Sequence, residues 1–567
     1  MDLEELQETD LWILYEKGRM YLRSMKVYSD TDLNYRMYNG DQWAGIKLEG
    51  IEPVQLNFIE PIVKYKVSSI NSNLWKIVFN SENYENKEFR SRADEICKML
   101  NRYSNKIWEK DNLDYKIRKV CKDSAINDEG LIYVDYNEKE QSPVNEVINK
   151  NDIHYGNEND SEIQNQPYII IKQRKPVITI QELAKRNGVS EEDIMNIFGD
   201  SDNYEESGES SKYEKDAMCT LLTKMYKKDG YVYFEQGTKY CTIKKETNSG
   251  LTLYPVAHML WEEKKGSARG EGEVRRLIPN QKEANKILMR SSLVVKQTAY
   301  QQKIVDGSKI ENIDALDQVG GKIILRGGNN VDDVRKIISY IQPAQMSADV
   351  ERLRGELINK TRELAGAGDM ATGQVNPESA SGKAILAVQQ ASQQPLIEQL
   401  SALKMFIESI ARIWLDLIIT YASDGLKLEQ ENTNPLTGEK TIDIITITKE
   451  MLNELRASVK VDITPKGAYD KYAQELSVEN LLKAGYFSAQ RLPELKTYLN
   501  ILEDDANMPK QRLLDAIEKM EEEQRAIAEL EAKANEMIQK ANTFINSDVD
   551  AQASTIQDNM QGTQVQQ

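Results

Sequence analysis

Apolar side chains recur every three or four residues in some stretches and at every second residue in others, so the chain predicts both helices and strands. Up to about Asn73 it reads as short helices and loops, with Leu11, Leu14 and Tyr15 on one helical face and a turn beside a large aromatic at Tyr38–Trp43. From Glu88 to Asn127 the spacing of Ile96, Met99, Leu100, Tyr103, Ile107 and Trp108 is helical. Leu131–Tyr136 is rich in β-branched and aromatic residues and predicts a strand. Residues 137–166 are poor in apolar side chains and predict a long surface loop. Strands are expected again at Tyr168–Lys172, Thr220–Tyr226 and Tyr231–Phe234, with one helix at Ile180–Phe198 and a polar excursion at Asp200–Lys212. Residues 131–262 thus form a strand-rich block.

The second half predicts mainly helix. Glu273–Gln302 is compatible with one helix if Pro279 falls in its first turn, where a missing N–H is harmless. Lys322–Arg326 reads as a small strand between the pairs Gly320-Gly321 and Gly327-Gly328. Ser347 is placed to cap a helix running to Leu364, with Glu351 in its opening turns. A glycine-rich polar stretch, Ala365–Gly382, precedes a helix from Lys383 to Ala422. Short strands are expected at Ile442–Thr448 and Val459–Ile463. Pro509–Ile545 is helical and charged, and its seam of Leu513, Ile517, Met520, Ile527 and Leu530 suits either a neighbouring helix or an ordinary core. Residues 546–567, mostly Gln, Asn, Ser, Thr and Asp, predict a disordered tail. The fold class expected is α+β, mainly helical.

Composition narrows the chemistry. The 567 residues can bury a large core in several structural units. The most apolar helix, Met405–Ala422, is interrupted by Glu408, Arg412 and Asp416, which marks an amphipathic helix and not a membrane span. The first ten residues are acidic and carry no basic-then-apolar leader. Four scattered cysteines without a CxxC pair predict buried reduced thiols. Two histidines leave little material for His-based metal sites or a Ser-His-Asp triad. No phosphate cradle of the GxxxxGK[ST] type occurs: Gly321-Lys322 is followed by Ile323, and Gly382-Lys383 by Ala384. Gly270–Arg275 lacks the third glycine of a dinucleotide fingerprint. Acidic runs such as Glu521–Glu523 read as solvated helix faces. These absences point to a non-enzymatic chain with no cofactor. The formal charge of −18 excludes tight DNA binding through overall positive charge, yet suits a protein that must let DNA slide, since each neutralised phosphate adds affinity. The same charge also fits plain solubility.

The order of elements from Gly266 to Ala422 resembles that of tailed-bacteriophage portal proteins. The residues that carry the resemblance are 266–286 (GSARGEGEVRRLIPNQKEANK), Glu351–Leu364 and 367–384 (AGDMATGQVNPESASGKA), flanked by Tyr38–Trp43, Asn57–Ile59 and Val461–Ile463. The resemblance implies a ring of twelve copies at a capsid vertex, a channel for double-stranded DNA in packaging and ejection. It implies a wing at 1–262, a first stem helix at 263–303, a clip at 304–346, and a second stem helix at 347–364. A channel loop at 365–382, a long helix and wing return at 383–470, and crown helices at 471–545 would complete the subunit. DNA-facing candidates are Arg275, Lys282, Lys286, Arg290 and Lys296 on the stem, which could equally pair between subunits, and Asp369, Met370, Gln374, Asn376 and Glu378 in the loop. From Glu271 to Lys303 seven basic residues face three acidic ones, a local +4. Lys309, Lys322 and Arg326 are the clip residues expected to meet the motor and the adaptor. The implied partners are the terminase large subunit, a head–tail adaptor, and the major capsid and scaffold proteins; the implied location is the virion, with host cytoplasm during assembly. A coiled-coil scaffold and a DNA-processing ATPase are the rival readings.

Overall fold

The computed structural model of the chain describes residues 7–44, 46, 52–80, 87–200, 218–299, 303–317, 322–326, 338–341, 347–368, 394–421, 426–433, 440–447 and 458–465, with 517 and 534 beyond them. The chain divides into two units, 1–464 and 465–567, and the second lies almost wholly outside the described residues. The charged helix expected at 509–545, apart from 517 and 534, and the tail expected at 546–567 lie outside the described residues.

Three helices open the fold: α1 (Asp10–Ser24), α2 (Val27–Asn39) and α3 (Ile59–Ile70). The Thr9 hydroxyl caps α1 by accepting from the Trp12 amide, and α2 stops at Gly40, whose φ of +88° continues no helix. After β1 (Asn73–Asn80) come α4 (Lys87–Lys110) and α5 (Leu113–Ile126), parted where Asn112 takes a left-handed φ of 49°. The strands β2 (Glu129–Asn137), β3 (Ser142–Ile148), β4 (Ile153–Tyr155) and β5 (Tyr168–Pro176) follow. Then come α6 (Val177–Arg186), α7 (Glu191–Met195), β6 (Met218–Lys228), β7 (Tyr231–Gly237), β8 (Thr242–Asn248) and β9 (Val256–Leu260). The strands make two antiparallel sheets, ordered β3-β2-β9 and β4-β5-β6-β7-β8. The second half supplies α8 (Glu273–Ala299), the paired strands β10 (Lys303–Val305) and β11 (Ile338–Tyr340), α9 (Ala348–Leu364), α10 (Ile397–Tyr421), the hairpin of β12 (Leu426–Thr433) and β13 (Lys440–Ile447), and β14 (Ser458–Pro465), which pairs with β1. The architecture is therefore mixed helix and strand.

One core joins α3, α5, the β3-β2-β9 sheet, the head of α8 and the inner face of α10. Trp261, Trp414 and Tyr254 lie at its centre, almost fully buried. No described helix is long and apolar enough to cross a membrane. In α10, Asp416 accepts hydrogen bonds from the amides of Thr252 (2.8 Å) and Leu253 (2.9 Å), so one of the charges that interrupts the apolar run is an anchor. All four cysteines are buried and none forms a disulfide, as their spacing predicts.

Several sequence expectations are corrected. Residues 137–166 are not a long surface loop, since β3 and β4 run through them. Two of their polar residues are buried and hydrogen-bonded: Asn145 accepts from the Trp414 indole (3.0 Å) and donates to Asp111 (2.6 Å), and Gln166 donates to the carbonyls of Asn157 and Asp160. Ile180–Phe198 is not one helix: it breaks at Gly188 (φ +75°) and restarts behind Ser190, whose hydroxyl accepts from the Asp193 amide. Pro279 lies not in the first turn of α8 but one turn further in, exposed, where water can reach the carbonyl deprived of its partner. Lys322–Arg326 forms only the minimal bridge Ile310–Leu325, and β12 is a strand that sequence reading missed. The described part of the helix expected from Lys383 starts with a turn at Gln394–Leu396 before Ile397, and 383–393 lie outside the described residues. The cap at Ser347 matches expectation, its hydroxyl accepting from the Asp349 amide.

His154 on β4 is a buried group with a measurable consequence. It packs edge-on against Tyr15 of α1 (4.9 Å between centroids), and neither ring nitrogen has a hydrogen-bond partner. Burial, aided by the cations Arg269, Lys172 and Arg19, pushes its pKa down to about 3. The unfolded chain then binds a proton that the folded chain refuses, so stability falls as pH drops below 6.5 and continues to fall toward 3. This group alone removes about 2 kcal/mol between pH 6.5 and pH 5. Urea titrations across that range should show His154→Leu losing markedly less stability than the unaltered chain.

Candidate nucleic-acid interface

The cations singled out in 275–296 all lie on α8, and the helix presents them because its opposite side is locked down. At its head, Gly270 and Gly272 let two backbones approach closely: a Cβ on Gly272 would sit 2.1 Å from the Asn127 carbonyl oxygen, and one on Gly270 2.5 Å from that of Glu262. Glu273, the first helical residue, is buried and pairs with buried Lys66 on α3 (2.7 Å).

Just before the helix, Arg269 is buried among oxygen acceptors. Its guanidinium binds Glu129 at short range, Glu158 through Nε (3.0 Å) and Nη2 (3.2 Å), and the carbonyl of Ile153 (3.2 Å). Glu129 also accepts from the Tyr155 hydroxyl (2.9 Å) and contacts His258 Nε2 (2.9 Å). Burial raises the Glu129 pKa, but Arg269, His258 and Lys150 outweigh it and hold the carboxyl at about 2. Next door, burial keeps the Asp128 carboxyl above its ordinary value despite its short contact to Lys150. This network ties the head of α8 to both sheets.

Further along, α8 is held by amides. Gln281, fully buried, accepts from the Phe58 amide (3.0 Å) and donates to the Leu56 carbonyl (2.6 Å). Asn285 accepts from the Leu56 amide (3.1 Å) and donates to Gln42. Asn280 donates to Thr361 of α9 (3.0 Å) and joins the two long helices. With one side fixed, Arg275, Lys282, Lys286 and Arg290 share the opposite, exposed face at spacings of seven, four and four, and Lys296 is exposed near the end. Three of the five are engaged: Arg275 with Asp30 (2.9 Å), Lys286 with Glu283 (3.4 Å) and Lys296 with Glu52 (2.7 Å). These pairs are solvent-exposed and weak, so phosphates can compete for the cations. Lys282 and Arg290 have no acidic partner among the described residues.

The remaining expected residues fall elsewhere. Lys309, Lys322 and Arg326 are all exposed and lie on one small unit, where the Arg326 amide donates to the Lys309 carbonyl (3.0 Å) and Asn312 to the Lys322 carbonyl (2.6 Å). That unit also exposes Ile304, Ile313, Ile323, Ile324 and Ile341. Asp369, Met370, Gln374, Asn376 and Glu378 lie outside the described residues. Sequence reading missed Arg269, Gln281 and Asn285; the signal was present, since an arginine between Gly266 and Gly270 and two amides four residues apart on the apolar side of a helix are unusual for solvated positions. Among the described residues no group of three or more His, Cys, Asp or Glu side chains could hold a metal ion.

The family model of the phage P22-like portal protein matches residues 177–567, more than two thirds of the chain, and its span includes α8, α9 and all that lies between them. No curated protein matches the chain. Members of that family are structural proteins of oligomeric, capsid-associated assemblies in the virion. Matched over most of its length, and with the helix that presents its cation row inside the match, the chain belongs to the P22-like phage portal protein family.

Proposed function

We propose that twelve copies of the chain close into a ring at one capsid vertex, and that the hole in the ring conducts double-stranded DNA inward during packaging and outward during ejection. The observation that carries this reading is the cation row of α8, exposed opposite a side pinned by Arg269, Gln281 and Asn285, within a chain of net charge −18. A rigid helix with a few weakly engaged cations meets phosphates repeatedly without gripping them, while the acidic remainder limits counterion release and lets DNA slide. In this mechanism α8 and α9 line the stem, and the constriction of the channel falls within Ala365–Gly382, with Asp369, Met370, Gln374, Asn376 and Glu378 as its DNA-facing residues. The chain is passive, and a separate ATPase, the terminase large subunit, supplies the work. It docks on the unit around Lys309, Lys322 and Arg326, whose exposed isoleucines suit protein contact, and a head–tail adaptor replaces it later. Major capsid and scaffold proteins would meet the wing as the particle assembles in the host cytoplasm.

Negative-stain microscopy of the purified chain should show closed rings with a central hole; a persistent monomer or a poreless fibre would sink the proposal. Within such rings, the double substitution K282E/R290E should leave assembly intact and weaken low-salt DNA retention about tenfold. Retention equal to that of the unaltered ring would remove α8 from the DNA path.

A further inference from the structure

A groove of about 330 Å³ lies between α10 and residues 161–164, floored by one face of β9. Its apolar lining comes from Val256 and Leu260 of β9, with His258 between them on the same face, and from Ala402 and Met405 of α10, beside the hydroxyls of Ser401 and Ser409. Met405 is 66% exposed although it belongs to the helix that fills the core with its other side. The rim carries Glu162, Glu263 and Glu398, all exposed, and no lysine or arginine lines the groove. None of the three carboxylates forms an ion pair among the described residues; Glu263 only accepts from the Ser161 hydroxyl (3.1 Å).

An apolar floor inside an uncompensated acidic rim selects its occupant by charge. We infer that this groove docks a basic amphipathic segment of a partner protein, with an apolar side chain against Met405 and Ala402 and lysine or arginine side chains on the rim. The occupant meant is a segment of a partner protein and not a second copy of this chain, because the rim calls for a dense row of cations beside apolar side chains and the chain as a whole carries 91 acidic against 73 basic residues. The inference does not depend on the ring or on the DNA path. Apolar burial would supply most of the affinity and the three glutamates the orientation, so binding should weaken with salt without vanishing.

The test uses the full-length protein and a fluorescein-labelled, 18-residue amphipathic helix of leucine and lysine, read by fluorescence anisotropy. The same peptide with glutamate in place of lysine is the control. Binding of the lysine peptide should fall roughly tenfold in A402W, which fills the groove, and by a similar factor in M405K, an exposed position that leaves the core untouched. It should fall likewise in E162K/E398K, with thermal unfolding unchanged in the variants. Undiminished binding in both A402W and M405K would show that the peptide sits on general surface charge and would overturn the inference. So would equal binding of the glutamate peptide. A photo-crosslinking residue at Ser401 of the unaltered groove should capture the lysine peptide; capture of a second copy in preference to it would also overturn the proposal.

Discussion

Arg269→Ala is expected to destabilise the chain by about 3–5 kcal/mol, read as a fall in the urea midpoint at pH 7. The guanidinium is the shared cation of Glu129 and Glu158 and also binds the Ile153 carbonyl, so its removal strands two carboxylates in a site that water scarcely reaches. Arg269→Lys should restore little, because one ammonium cannot reproduce contacts from Nε and both terminal nitrogens. The network also predicts a pH dependence. The Glu129 pKa in the fold is about 2, below its ordinary value of 4.5, so the folded carboxylate contributes stability that is complete above pH 4.5 and is lost as pH falls through about 2. In the alanine variant that contribution should shrink, and its unfolding curve between pH 5 and pH 2 should be flatter. A variant within 1 kcal/mol of the parent would mean that the network is decorative.

Gly272→Ala should be as severe, costing at least about 3 kcal/mol. The added Cβ would meet the Asn127 oxygen at 2.1 Å and the Ile126 oxygen at 3.0 Å, both backbone atoms where α5 ends, so no rotamer relieves the clash. Either α5 or the head of α8 must move, and the latter shift would pull Glu273 from Lys66. Circular dichroism should therefore report an early unfolding transition, and rings that still form should be fewer. Gly266→Ala is the control: its φ of +72° makes alanine strained, yet nothing lies within 4 Å of the added carbon, so the cost should stay near 1 kcal/mol.

Much of the secondary structure was legible because it rests on short-range physics. Ser347 caps α9 through a bond to a residue two positions on, Gly40 ends α2 by its own φ, and the periodic apolar residues of α4 and α5 mark their faces locally. The cation row of α8 was legible too, since spacings of seven, four and four put residues on one side of any helix. The largest correction has a long-range cause. Polarity was read as exposure at 137–166, but Asn145 is buried between Trp414 and Asp111, which stand 269 and 34 residues away in the chain. Pro279 was expected in the first turn of a helix starting at Glu273; the helix does start there, and Pro279 is its seventh residue, on the exposed side.

By itself, then, the sequence determined most of the helices and the longer strands, where several of them stop, and which cations share a helical face, and its order of motifs was enough to suggest the portal family. Only the tertiary structure decided that this face is the free one. Gln281 and Asn285 become buried anchors because the backbone of Leu56 and Phe58, more than two hundred residues earlier, supplies their hydrogen-bond partners. A polar side chain is buried only if such a partner arrives, and local propensity holds no information about a partner that folding alone brings near.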